Sequence, residues 1–328
     1  MGSLAARKLR TALTALAIVL GVAMMSGAYV LTDTIDRAFN AIFVGSYAGT
    51  DVVVTGQDPG FSVEGEAAQP PPIPEATLER VRAIEGVELA TGGVQDFQTR
   101  LLGSDGEPIN GGGGFPTLTF GVATEPEYSR FNPLNLVEGR WPNGNDEIAV
   151  DEGLADDEEL ALGDTIGVAA LGPAEDYEIV GIVRYGELSS LGGATLAIFD
   201  VPTAQALLDK DGRLDGVQIA AVDDTTPDDL VQRIAAELGP GYTVRTGVEQ
   251  ADEESGEIAT FTTIIRYFLL SFAGIALFVG AFVIFNTLSI TVAQRMREFA
   301  TLRTLGASRR QVLRTVILEA LVIGISAS

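Results

Sequence analysis

Cysteine and histidine are both missing from the 328 residues. Without cysteine, thiol catalysis, iron–sulfur clusters, disulfides and thiolate zinc sites are excluded. Without histidine, the usual general base, the commonest metal ligand and every Ser-His-Asp or Cys-His arrangement are excluded as well. Basic side chains are scarce: 21 Lys+Arg stand against 45 Asp+Glu, a formal charge of −24. That balance argues against a nucleic-acid partner, because the phosphate backbone is bound through lysine and arginine.

Apolar residues, by contrast, are plentiful. They make up 46% of the chain, and the mean hydropathy is +0.25. A chain so acidic and so apolar is hard to fold as one soluble domain, and an acidic disordered chain would be poor in apolar residues. The two properties therefore occupy different stretches. Thr11–Thr32 is 22 residues without a charge, and Tyr267–Gln294 is 28 more. Each exceeds the ~20 apolar residues that a helix needs to cross a bilayer. A third apolar run starts at Val316 and reaches the last residue, Ser328.

Between the first two runs, residues 33–266 hold 43 acidic and 12 basic side chains, while the flanks hold 9 basic and 2 acidic. Lysine and arginine near a membrane segment favour the cytoplasmic side, so both flanks read as cytoplasmic and the acidic middle as extracytoplasmic. The alternative for the first run is a cleaved signal peptide, with Ser26-Gly27-Ala28 as the candidate cleavage site. Against it, an apolar stripe continues at helical spacing through Ile35, Phe39 and Ile42/Phe43. Ile258, Phe261, Ile265 and Phe268 form a similar stripe ahead of the second run. The two extensions either pair as a stalk or pack separately on the domain.

The expected fold is α+β and membrane-anchored, with apolar helices flanking an extracytoplasmic domain of split strand–helix–strand units. Residues 1–10 are a cytoplasmic N-terminus, 11–32 a transmembrane helix and 33–50 a stalk helix. Residues 51–250 form the domain, followed by a stalk helix at 251–266 and a transmembrane helix at 267–294. Residues 295–315 are a cytoplasmic elbow, and 316–328 begin a third, truncated transmembrane helix. Within the domain, a strand at Asp51–Thr55, a helix around Glu75–Glu85 and a strand near Val87–Val94 make one unit. Gly216–Val222, Pro227–Leu238 and Tyr242–Arg245 repeat that order. Pro227 near the helix start and Gly239 just past its end are the expected punctuation. A strand-rich insert at about 95–200 lies between, with strands at Leu118–Ala123, Glu147–Val150, Thr165–Ala170, Tyr177–Arg184 and Thr195–Phe199. Its turns fall at Gly111–Gly114, Gly144 and Gly163.

The acidic clusters Asp151/Glu152 and Asp156–Glu159 read as a solvated face. Calcium binding or carboxylate catalysis is the sharper reading, but no EF-hand spacing supports it. Gly111–Gly114 lacks the Gly-Lys-Ser/Thr of a phosphate loop. Neither catalytic residues, cofactor nor metal ligands are expected. Ala17/Gly21, Ala23/Gly27 and Ala276/Gly280 are small-xxx-small pairs suited to helix packing.

After the second apolar run, helical spacing continues through Phe299, Leu302 and Leu305 to Gly306, the place of a helix C′ residue. Ser308 and Gln311 then make a capping box that opens another helix, leading back toward the third apolar run. Taken alone, the arginines of this elbow need only hold the loop inside. The stretch nevertheless closely resembles the FtsX-like permease family, whose pattern is matched at Arg295, Arg297, Glu298, Phe299, Ala300, Leu302, Arg303, Leu305, Gly306, Ala307, Ser308, Arg309, Arg310, Gln311 and Val312. The large domain between the first two runs resembles the MacB-type periplasmic core domain, notably at Val137–Arg140, Asp146–Val150, Leu162–Thr165 and Tyr177–Val183.

The resemblance implies a membrane subunit of an ABC system in a bacterial cell (inner) membrane, multi-pass and not itself an enzyme. It implies a cytoplasmic ATP-binding cassette partner and a second permease copy, as a homo- or heterodimer. The ATPase-coupling elbow is then Arg295, Arg297, Glu298, Phe299, Leu302, Arg303, Gly306, Ser308, Arg309, Arg310 and Gln311. Family members carry four or more membrane helices per unit, so the chain reads as a fragment or a truncated gene. The rival class is a receptor with two crossings around an extracytoplasmic sensor domain. It is disfavoured by Leu318, Leu321, Val322, Ile323 and Ile325, which point back to the membrane rather than into a soluble signalling helix.

Overall fold

In the computed structural model, the described residues are 2–57, 62–63, 66–67, 69–109, 117–186, 188–191, 194–294, 296–306, 308–311, 313–314, 317–318 and 321. They fall into two units, residues 1–38 with 258–328, and residues 39–257. In chain order, helix α1 (Gly2–Ser46) leads to strands β1 (Val52–Gly56), β2 (Ser62–Val63), β3 (Glu66–Ala67) and β4 (Ile73–Pro74), then to helix α2 (Ala76–Arg82). Strands β5 (Val87–Asp96), β6 (Arg100–Leu102) and β7 (Thr117–Val122) come next, then a 3-10 turn at Pro126–Phe131, β8 (Leu134–Gly139) and β9 (Glu147–Asp151). Helix α3 (Glu152–Asp157) precedes β10 (Thr165–Ala169), β11 (Glu175–Tyr185), β12 (Thr195–Asp200) and α4 (Val201–Leu207). The chain continues through β13 (Arg213–Leu214), β14 (Gly216–Ala221), α5 (Pro227–Leu238), β15 (Tyr242–Thr246), α6 (Gly247–Gln294) and α7 (Met296–Thr304).

In the unit of residues 39–257, eleven strands form one mixed sheet in the order β15-β1-β14-β5-β7-β12-β9-β11-β10-β6, with β8 also paired to β11. The first four strands are antiparallel neighbours. β5 is long enough to leave that group: its end at Val94–Asp96 pairs with β7 and carries the sheet into the insert. There β12 lies parallel to β7, and β9 parallel to β11.

β1 shows why these residues make a central strand. Val52, Val53 and Val54 are β-branched and all buried, as expected for a strand covered on both faces. Helix α5 covers this part of the sheet. Thr226 caps it by accepting from the Asp229 N–H at 3.2 Å, Pro227 supplies the first turn, and Gly239 ends it at φ +82°. Leu230, Ile234 and Leu238 lie on its buried face; each buried side chain of this size contributes about 1.5–3 kcal/mol.

Asp151 departs from the expected solvated face. It is 2% exposed, and its carboxylate accepts from the Leu154 N–H at 3.0 Å and the Leu196 N–H at 2.6 Å. It therefore caps α3 and ties it to β12. Burial raises its pKa, and the hydrogen bonds from Leu196 and Leu154 oppose that shift. Glu152 is held by Arg184 through two hydrogen bonds of 2.5 and 2.6 Å. Asp156–Glu159 are exposed, as the sequence suggests.

The unit of residues 1–38 and 258–328 contains most of α1 and of α6. The two helices approach closely at Gly21, where an added Cβ would lie 2.6 Å from Leu277 Cδ2. Ala28, Thr32, Thr262 and Ala273 are buried along the same stripe, and Thr262 donates to the Asp36 carboxylate. Close approach at small residues is the usual way for apolar helices to pack. The pair Ala23/Gly27 does not take part: both are exposed, and nothing lies within 4 Å of a Cβ built on Gly27. The side chain of Ala17 lies outside the described residues. Among the described residues, one stretch, Thr262–Phe282, is long and apolar enough to cross a membrane. The turn expected at Gly111–Gly114 also lies outside the described residues.

Candidate functional site

The elbow begins where α6 ends at Gln294. Arg295 lies outside the described residues, and α7 then runs for nine residues. The last turn is closed by a hydrogen bond from the Leu305 N–H to the Thr301 carbonyl at 3.1 Å. Gly306 follows at φ +97°, a left-handed conformation that glycine adopts without steric cost and that ends helices at C′.

Beyond Ala307, outside the described residues, Ser308 starts the next helical turn. Its N–H donates to Gln311 Oε1 at 2.8 Å, and the Gln311 N–H donates back to Ser308 Oγ at 3.4 Å. This is the reciprocal arrangement of a capping box. Ser308→Ala is expected to destabilise this turn by about 1 kcal/mol. The check is faster amide hydrogen exchange at 309–311, with exchange across residues 216–246 unchanged.

The sequence marks eleven elbow residues, and the structure places them unequally. Arg297, Gly306, Ser308, Arg309, Arg310 and Gln311 are all exposed. Glu298, Phe299, Leu302 and Arg303 belong to α7, but their side chains lie outside the described residues. The capping box joins Ser308 to Gln311; Arg297 is separated from Arg309 and Arg310 by the glycine turn. Leu305, at the turn, is 80% exposed. Exposed guanidinium groups beside an exposed leucine make a surface suited to binding a partner.

In the unit of residues 39–257, the four segments quoted for their resemblance converge around β11. Arg140 grips Glu147 with two hydrogen bonds of 2.6 and 2.5 Å, and that grip holds the Glu147 carboxyl down at about 2. The Gly163 N–H donates to the Ile179 carbonyl at 2.8 Å, and the Ile179 N–H to the Asp164 carbonyl at 2.8 Å. Gly139 sits at φ +79°, with an added Cβ only 2.2 Å from the Val180 carbonyl oxygen. These segments thus hold the sheet together around β11. A groove of about 270 Å3 beside Trp141 is lined by Thr124, Glu125, Ser129 and Leu134 among others, and its one carboxylate is exposed. Among the described residues, no group of three or more acidic side chains is placed to hold a metal ion.

Motif reading passes over a different cluster. Tyr185, at the end of β11, hydrogen-bonds Ser46 and the Ile42 carbonyl at the end of α1, and beside it Tyr47 and Gln250 both donate to Glu254 at the start of α6. No local pattern announces it, because the partners are 139 and 207 positions apart.

Comparison with known proteins follows the same division. Residues 11–237 match the family model described as MacB-like periplasmic core domain, and residues 270–328 match FtsX-like permease C-terminal. An uncharacterized ABC transporter permease protein of Mycobacterium tuberculosis is 31% identical over 185 residues, 56% of this chain and 20% of its own length. An uncharacterized ABC transporter permease of Bacillus subtilis is 22% identical over 345 aligned residues, covering 98% of this chain and 80% of its own. The chain thus spans about a fifth of the mycobacterial relative. Among solved structures, the periplasmic region of MacB from Actinobacillus actinomycetemcomitans is 12% identical. It covers 63% of this chain and 95% of its own, with a TM-score of 0.45.

Proposed function

The chain belongs to the ABC transporter permeases that carry a MacB-like periplasmic core domain and an FtsX-like C-terminal region, and on that footing we propose that it couples ATP hydrolysis by a separate cytoplasmic subunit to movement of its extracytoplasmic domain. Residues 39–257 are that domain, and the apolar parts of α1 and α6 are the membrane crossings. The elbow around Arg297–Gln311 is the docking surface for the ATP-binding cassette subunit. A second permease copy completes the assembly in a bacterial cell membrane. Energy enters at the elbow and leaves as displaced protein rather than as a chemical product, which fits export, extraction or mechanotransmission.

The observation that carries this reading is the elbow itself. A nine-residue helix, a left-handed glycine and a capping box build a rigid turn, and the turn holds Arg297, Leu305, Arg309 and Arg310 exposed. A loop that needed only positive charge to stay inside would not require this construction. The charge distribution gives independent support: the acids lie between the two apolar runs, and the surplus arginines lie outside them.

The absence of cysteine makes the test clean. With Arg310→Cys as the sole thiol, a short thiol-reactive cross-linker in native membranes should capture the ATP-binding subunit, and nucleotide should change the yield. Asp224→Cys, at an exposed turn of the domain, should instead be labelled by a membrane-impermeant maleimide added from outside and should capture no ATPase. Capture through position 224, or none through position 310, would sink the proposal.

A further inference from the structure

The ends of α1 and α6 within residues 39–257 meet in a compact polar joint. The Tyr185 hydroxyl, at the end of β11, donates to the Ile42 carbonyl at 2.6 Å and also pairs with Ser46 Oγ. It thereby ties the end of β11 to the last turns of α1. One residue past α1, the Tyr47 hydroxyl donates to Glu254 Oε1 at 2.6 Å, and Gln250 Nε2 donates to the same oxygen at 3.0 Å. Asn40 and Ser255 face each other across the helices at 3.5 Å.

The backbone below the joint is locked as well. A Cβ on Gly247 would lie 2.2 Å from the Thr50 carbonyl oxygen, and the Gly247 N–H donates to the Asp51 carbonyl at 3.0 Å. Asp51 in turn accepts from the Ala221 N–H at 2.8 Å, and Arg130 Nε donates to the Gly49 carbonyl at 3.1 Å. Ile42 and Tyr185 also pack together on the apolar cluster around Leu134, Val183 and Leu196. The chain leaving α1 and the chain entering α6 are thus held at one place on the sheet.

We propose that Tyr185, Tyr47, Gln250 and Glu254 form a clamp that keeps the end of α1 and the start of α6 in fixed register against β11, and that a proton on Glu254 belongs to its closed state. The carboxyl is partly buried, and among the described residues its hydrogen-bond partners are two neutral donors with no guanidinium or ammonium. A buried carboxylate without a cation is costly, while the neutral acid accepts the same two bonds without that cost. Burial raises the Glu254 pKa above the ordinary carboxylate value, and the Gln250 and Tyr47 hydrogen bonds only partly offset it. The titratable groups facing it are Tyr47 from the exit of α1 and Tyr185 from β11. Tyr185 is pushed up to about 12 by burial, and Tyr47 is raised further, again by burial first; both stay neutral across the useful range. Arg245 of β15 engages the neighbouring Glu253 at 3.9 Å.

The sign follows from linkage. A group that binds its proton more tightly when folded contributes stability that is fully present below the unfolded value of 4.5 and is lost as pH rises through the folded value. The clamp therefore closes toward acid and loosens toward alkali.

Its use in coupling rests on the permease reading, whereas its existence does not, and the experiment separates the two. Spin labels are placed at Asn40→Cys and Ser255→Cys in the full chain, otherwise free of cysteine, reconstituted in lipid nanodiscs without ATP or any partner. At pH 5 a single narrow distance is expected, and by pH 9 more than half of the population should spread to longer distances. Glu254→Gln, which keeps the acceptor and removes the titration, should hold the narrow distance at both pH values. Tyr47→Phe and Tyr185→Phe should broaden it at both. A pH response surviving in Glu254→Gln overturns the role of the proton. A narrow distance in both phenylalanine variants overturns the clamp, whatever becomes of the cross-linking at position 310.

Discussion

Charge reversal at two residues of the elbow, Arg309→Glu with Arg310→Glu, should abolish association with the ATP-binding subunit and with it all ATP-driven movement. On the proposed docking surface the substitution reverses two charges, and a like-charge juxtaposition across an interface costs several kcal/mol. A loss of about 3 kcal/mol corresponds to more than 100-fold in affinity. The substitution leaves the elbow folded for a specific reason. Positions 309 and 310 directly follow the Ser308 cap, at the positive end of a helical turn, where glutamate is favoured by about 0.3–1 kcal/mol. Seven basic residues remain in the flanks, among them Arg7, Lys8, Arg10 and Arg314, so the bias that orients the chain persists. Co-purification from membranes, with hydrogen exchange at 309–311 as the control for folding, provides the check. Retained wild-type association would remove the elbow from the coupling path.

The largest effect on the fold is expected from Gly49→Ala. The added Cβ would sit 1.8 Å from the Arg130 carbonyl oxygen and 2.7 Å from its carbon. Both are backbone atoms, so no side-chain rotation relieves the clash. Neither side yields easily, because Arg130 also holds the Gly49 carbonyl and reaches Glu88 at 3.0 Å. Overpacking of this kind costs about 3 kcal/mol or more, and in a unit of this size a melting temperature lower by roughly 6–12 °C follows. Gly172→Ala is the matched control: its Cβ would have nothing within 4 Å, and its φ carries no left-handed strain, so its effect should stay within about 0.5 kcal/mol. Trp141 is the only tryptophan in the chain and packs beside the cluster around Leu134 and Val183, so its fluorescence reports the transition. Equal melting temperatures for the two variants would show that the turn at 49 is not fixed as described.

Periodicity and punctuation make parts of this molecule legible from the sequence. Helix α5 is read to its last residue because Pro227 and Gly239 bracket an apolar stripe, and β1 is read from its run of three valines. β8 is missed for a physical reason: it pairs with β11 alone, and only Leu134 of its six residues is buried, so no alternation marks it. α3 is missed because Glu-Gly-Leu-Ala-Asp-Asp has no apolar stripe. The mistake over Asp151 has the same origin. An acid beside other acids reads as surface, and only the fold shows that two backbone N–H groups await it. The capping box of the elbow is legible because its partners, Ser308 and Gln311, are three residues apart. The joint at Glu254 is not, because hydrogen bonds between distant positions leave no trace in local spacing.

The place of β1 in the sheet bears on how the chain is made. Its neighbours are β14 and β15, in register at Ile219 and Thr246, so a strand synthesised early waits for partners near the far end of the domain. Until they arrive, Val52, Val53 and Val54 present an apolar edge with unpaired backbone, the kind of segment that seeks other strands. Contacts this distant in sequence close slowly, since the entropy of a long loop is lost before any pairing repays it. The domain therefore commits to its final form only when nearly all of it has been delivered, and its earliest strand is the one that most needs shelter on the way.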